Sequence, residues 1–109
     1  MKTFKDLEFK PKFNSSEFIG LVDIGLRDSY SKAEQAKLYF DNGYGCSVLF
    51  GEIFFSNGID TYELAVLYKG QMEYTSPITS SVLGYITKEE VTKAMIEIQN
   101  LPPKDETTI

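Results

Sequence analysis

Apolar residues in this chain recur at two spacings, and the change from one to the other divides it. Alternation with period two prevails up to about residue 75, and a helical repeat takes over after Thr87. Leu7, Phe9 and Phe13 alternate with Glu8, Lys10 and Lys12, the pattern of a half-buried strand that Pro11 confines to a sheet edge. Residues 18–24 read as a second extended segment. The polar stretch 25–32, with Arg27, Asp28, Ser29 and Ser31, reads as a loop.

The strongest local signal is the alternation from Ala36 to Phe40, followed by Asp41-Asn42-Gly43-Tyr44-Gly45 and the apolar run from Cys46 to Phe50. Asn-Gly favours a two-residue type I′ turn because both central residues need positive φ. That turn would set Asp41 opposite Tyr44 and Tyr39 opposite Cys46, with Leu38, Phe40, Ser47 and Leu49 on the other face. Gly45 leaves open a bulge that shifts this register. The second strand is expected to run on through Ile53 and Phe55 to Asn57-Gly58. A further strand spans 61–69, Gly70-Gln71 closes a hairpin into 72–75, and Pro77 ends it.

Thr87-Lys88-Glu89-Glu90 is a capping box, so a helix starts there. Val91, Ala94, Met95, Ile98 and Leu101 form its apolar face, and Pro102-Pro103 stops it. These elements define an α+β fold: an antiparallel β-meander of about four to six strands with the C-terminal amphipathic helix packed on one face. Residues 1–101 make a single domain, and 102–109 a flexible charged tail.

Composition narrows the range of functions. The chain of 109 residues has room for one core. Its net charge is −5, with 7 basic and 8 acidic residues up to Phe55 and 4 and 8 after it, and Arg27 is the only arginine. The want of clustered cations to displace counterions argues against direct nucleic-acid binding. A single cysteine, Cys46, allows no internal disulfide. The charged N-terminus does not resemble a signal peptide, and no run is long enough for a membrane span, which points to the cytoplasm.

There is no histidine, so a hydrolase would need a carboxylate pair or a Lys- or Cys-based site. Asp41, Glu52, Asp60, Glu63 and Glu73 are available for such a pair, although solvent-facing carboxylates on alternating strands are the commoner arrangement. No metal-ligand spacing and no cofactor motif is present, and Cys46 has no cationic neighbour in sequence to activate it. The expectation is a non-enzymatic protein without a cofactor. Seven tyrosines exceed what one core needs, which leaves aromatic surface for a partner or a homo-oligomer.

Four segments, Tyr39 to Val48, Tyr62 to Leu67, Thr75 to Thr79 and Gly84 to Val91, resemble a group of small phage- and prophage-encoded accessory proteins, mostly of Gram-positive hosts. The likeness spans about residues 36–101 and does not reach the N-terminal third. It implies no catalytic residues, only a context: the cytoplasm of a bacterial host and a protein that binds a host or phage protein, anti-CRISPR-like inhibitors of defence among them. The alternative is a small-ligand or nucleotide-signal sponge, for which Arg27, Lys32, Lys37 and Lys69 are the cations in the middle of the chain, and after it a structural or interaction domain. The expected protein-binding residues are Tyr39, Asp41, Asn42 and Tyr44, with Tyr44 projecting from a rigid turn.

Overall fold

The computed structural model describes residues 1–21 and 23–104. Its strands are β1 (Lys10–Pro11), β2 (Glu34–Tyr39), β3 (Tyr44–Phe50), β4 (Tyr62–Tyr68), β5 (Gln71–Met72) and β6 (Val82–Ile86). Every pairing is antiparallel, in the order β1-β2-β3-β4-β5, and β6 shares the outer edge of β4 with β5. Among the described residues three α-helices complete the fold: α1 (Ser15–Phe18), α2 (Ile24–Lys32) and α3 (Lys88–Gln99). The α+β meander with its C-terminal helix is as the residue pattern implies.

The core lies between α3 and one face of β3 and β4. Tyr44, Cys46 and Val48 share that face with Tyr62, Leu64 and Val66, and α3 buries Val91, Ala94, Met95 and Ile98 against them. Each large apolar side chain fully removed from water there contributes about 1.5–3 kcal/mol. Thr87 caps α3 through its hydroxyl, which accepts from Glu90 N, while the Glu90 carboxylate accepts from Thr87 N at 3.0 Å. The N-terminus is tied to the same helix: Lys2 N donates to Gln99 Oε1 and Gln99 Nε2 donates to Lys2 O. Phe4 and Phe9 then pack on Tyr62, which extends the core past the end of α3.

The hairpin between β2 and β3 departs from the expected turn. Phe40 N donates to Tyr44 O at 2.8 Å, so the loop holds three residues, and of these only Gly43 has positive φ, at 89°. The register moves by one residue, pairing Tyr39 with Gly45 and Leu38 with Cys46. A one-residue slip exchanges the two faces of a strand. Leu38 and Phe40 therefore join Tyr44 and Cys46 on the core face, and Tyr39 turns outward. The cause is Asn42, whose side chain is used elsewhere. Its Nδ2 donates at 2.9 Å each to the carbonyls of Ile98, which also accepts from Leu101 N, and of Leu101, just past the end of α3.

The turn with positive φ at both central residues is instead Lys69-Gly70, at 50° and 83°, joining β4 directly to β5. Further corrections concern the outer parts of the chain. Of the segment 18–24 the described residues, 18–21 and 23–24, form no strand, and the polar stretch after Ile24 is helical. Asp23 caps α2 by accepting from Leu26 N at 2.9 Å, and Lys32 pairs with Asp28 one turn back at 3.0 Å. Neither α1 nor α2 contains a buried residue, so no apolar stripe announced them. Together they form an arm between β1 and β2, closed at its neck by Lys12 N donating to Ala33 O.

β3 ends at Phe50, because Gly51 with φ 140° breaks the extended backbone before Ile53. β6 is a strand the alternation did not reveal, since Gly84 and a left-handed Tyr85 interrupt it with a bulge. Lys104 does not lie in an unpacked tail. Its ammonium pairs with the Glu73 carboxylate and sits over the Tyr68 ring, 4.8 Å from the centroid. The rest of the expected tail, 105–109, lies outside the described residues.

Replacing Asn42 by Asp would remove the donor and set a carboxylate against the negative end of α3. We expect Asn42→Asp to lower the unfolding free energy by about 2 kcal/mol. Urea denaturation measures it, and an unchanged midpoint would show that the clamp carries no stability.

Candidate functional site

The four expected contact residues separate in space. Tyr39, 51% exposed, and Asp41 lie together at the open side of the hairpin and line one cavity of about 370 Å³ with Lys2, Asp6 and Gln99. Asn42 is turned to α3, and Tyr44 is buried, its ring edge-on to Tyr68 at 4.8 Å. The expectation that Tyr44 projects from the turn is thus corrected: the face that it shares with Cys46 is the one that α3 covers. Truncation there opens the core, and Tyr44→Ala should cost about 3 kcal/mol of stability, read as a lowered denaturation midpoint.

A more elaborate arrangement occupies the opposite end of the sheet, in the loop 51–61. Asn57 Oδ1 accepts from the backbone N–H groups of Ile59, Asp60 and Thr61 at 2.9–3.0 Å. Ser56 Oγ accepts from Gly51 N and Gly58 N and donates to Thr61 O. Phe55 N donates to Glu63 Oε1 at 2.9 Å. Gly58 is required twice over: its φ is 72°, and a Cβ would come within 2.9 Å of Glu52. Two side chains and a glycine therefore hold the loop in one shape without an apolar core of its own.

What this scaffold holds outward is apolar. Ile59 is 79% exposed, Phe55 56% and Tyr85 58%, and the rings of Phe55 and Tyr85 meet edge-on at 6.2 Å. Tyr85 keeps φ at 53°, a conformation costly for an aromatic residue, with its N–H donating to Phe55 O. Gly84 lets the loop close on the strand, because a Cβ there would lie 2.8 Å from that of Phe55. The last turn of α2 borders the same end, where Asp28, Ser29 and Lys32 line a cavity of about 120 Å³ with Gly51, Glu52 and Gly58. The arm adds exposed Ile19, Ile24 and Leu26.

Three of the five carboxylates raised for a catalytic pair have separate duties. Asp60 accepts from Asn57 Nδ2, Glu63 from Phe55 N, and Glu73 from Thr75 N besides its pairing with Lys104. Among the described residues no three His, Cys, Asp or Glu side chains come close enough to hold a metal ion. Burial pushes the Cys46 thiol up to about 12, so the side chain behaves as a small core hydrophobe. Of the cations proposed for a nucleotide site, Arg27 donates to Leu21 O and Lys32 pairs with Asp28, while Lys37 lines a different cavity from Lys32. No helix among the described residues is long and apolar enough to cross a membrane.

Sequence reasoning passed over this loop because it took Ile53 and Phe55 for the continuation of a strand. The signal was present in Ser56-Asn57-Gly58, a cluster of turn formers with an isolated aliphatic residue after it. Comparison with protein-family models, with curated proteins and with solved structures finds no match to this chain.

The Glu73 carboxyl is held down from its ordinary 4.5 to about 2, first by Lys104 and then by Thr75. The folded state therefore binds fewer protons than the unfolded one between those values, and the stabilisation is complete above about 4.5 and lost as pH falls towards about 2. Glu73→Gln should remove this dependence. Melting temperatures of the two proteins should converge on acidification, and a constant gap across that range would contradict the assignment.

Proposed function

We propose that this chain is a non-enzymatic accessory protein of phage origin that binds a host or phage protein, acting as an inhibitor of a bacterial defence system. The observation that carries the binding reading is the exposure of Phe55 and Ile59 on a loop fixed by its own hydrogen bonds, with Tyr85 of β6 against Phe55. Aromatic anchors held in place before contact lose little entropy on binding, and a few such residues supply most of an interface's energy. Glu52 and Asp60 lie exposed in the same loop and suit a partner whose apolar groove is rimmed by basic residues. The phage context and the role against host defence rest on the resemblance of the segments between residues 36 and 101. The nucleotide-sponge reading is weaker, because Arg27 and Lys32 already have partners within the arm.

Affinity purification from the infected bacterium with mass spectrometry identifies the partner, and variants then locate the surface. Phe55→Ala should weaken capture by about 2 kcal/mol, with melting unchanged. Tyr85→Gly is the sharper test, since glycine adopts positive φ freely. It should bind more weakly while its stability stays within about 1 kcal/mol of the parent. Retained affinity in both variants would place the contact surface elsewhere, and a reproducible thermal shift with a nucleotide would favour the sponge.

A further inference from the structure

The parity of backbone hydrogen bonds in β2 exposes a short open edge. Even-numbered residues of this strand bond to β3, as the donation from Phe40 N to Tyr44 O requires. Odd-numbered residues therefore face the other way. Ala33 O accepts from Lys12 N and Gln35 pairs with Lys10, but β1 ends there. The N–H and C=O groups of Lys37 and Tyr39 point past the end of β1, and among the described residues nothing pairs with them. The side chains of Lys37, Tyr39 and Asp41 are all exposed along this edge. Open space flanks it on both sides, as a cavity of about 290 Å³ between Lys10 and Lys37 and one of about 370 Å³ between Asp6 and Asp41.

We propose that this edge joins the same edge of a second copy of the chain, antiparallel about a two-fold axis at Tyr39. The stripe Lys37, Tyr39, Asp41 is complementary to its own reverse: a cation, an aromatic ring and an anion in order. In that register each Tyr39 backbone exchanges hydrogen bonds with Tyr39 of the other copy. Each Lys37 then stands opposite an Asp41, twice over by symmetry. The neighbouring registers are worse. An axis at Lys37 opposes two lysines, and an axis at Leu38 drives Asp41 against Gln35, whose edge Lys10 already occupies. With the axis at Tyr39, the hairpin tip of each copy turns away at Gly43, one pair before it would reach β1. The surface is distinct from the loop 51–61, so the inference is independent of the function proposed above.

A charge exchange tests it. Light scattering or sedimentation over a concentration series at low salt should show a monomer–dimer equilibrium for the parent chain. Asp41→Lys should raise the dissociation constant by about tenfold or more, since it opposes two lysines at each end. Combining it with Lys37→Asp should restore the dimer, with circular dichroism confirming that all variants are folded. A monomer at every concentration would mean that Lys37 guards the edge against pairing and would overturn the proposal. So would a dimer indifferent to Asp41→Lys, or one that the double exchange fails to restore.

Discussion

The side-chain amide of Asn42 connects the tip of a hairpin to the end of a helix 56 residues further along the chain. Much of the structure depends on that junction. With Nδ2 committed to the carbonyls of α3 and Oδ1 accepting from Tyr44 N, Asn42 leaves positive φ to Gly43 alone, and the loop takes three residues. The loop length sets the strand register, and the register decides which side chains meet the helix. Had the loop held two residues, Cys46 would have shared a face with Tyr39, and Leu38 and Phe40 would have pointed away from the core. A hydrogen-bond preference at one amide thus selects the hydrophobic core, although the core supplies far more of the free energy.

The same chemistry shapes the loop 51–61 to a different end. Asn57 also precedes a glycine, but its oxygen gathers three backbone N–H groups of its own loop and its nitrogen bonds Asp60. In one Asn-Gly pair the side chain works across the fold; in the other it closes a local cage. The first adds stability where apolar packing is already dense. The second fixes a segment that has little packing of its own, which is why Phe55 and Ile59 can stay exposed without the backbone collapsing around them.

How much of this was legible follows from the range of each signal. The central strands and α3 could be read because period two and the capping box are local patterns, and Val91, Ala94, Met95 and Ile98 fell on the buried face as expected. The helices of the arm could not, because they bury nothing and so carry no amphipathic period; Asp23 was the one mark of α2. Of the expected contact residues Tyr39 and Asp41 lie exposed, whereas Tyr44 shares the core face with Cys46, two residues along the same strand, and the loop 51–61 carried only a turn signal. Local turn propensity correctly favoured a hairpin but could not know that Asn42 had a competing acceptor.

Strain and exposure are distributed consistently with this division. Tyr85 holds a left-handed backbone on a strand, next to a glycine whose place no larger residue could take without displacing Phe55. Lys69, the other non-glycine residue in that region among those described, sits in a tight turn that demands positive φ, so its conformation has a purely geometric reason. Tyr85 has no such turn to make. Its bulge bends β6 so that its N–H reaches Phe55 O and its ring meets the Phe55 ring, both at the surface. A strained backbone that serves only to hold two exposed rings against each other gains nothing for the core. That makes the rings themselves the feature in need of a functional explanation.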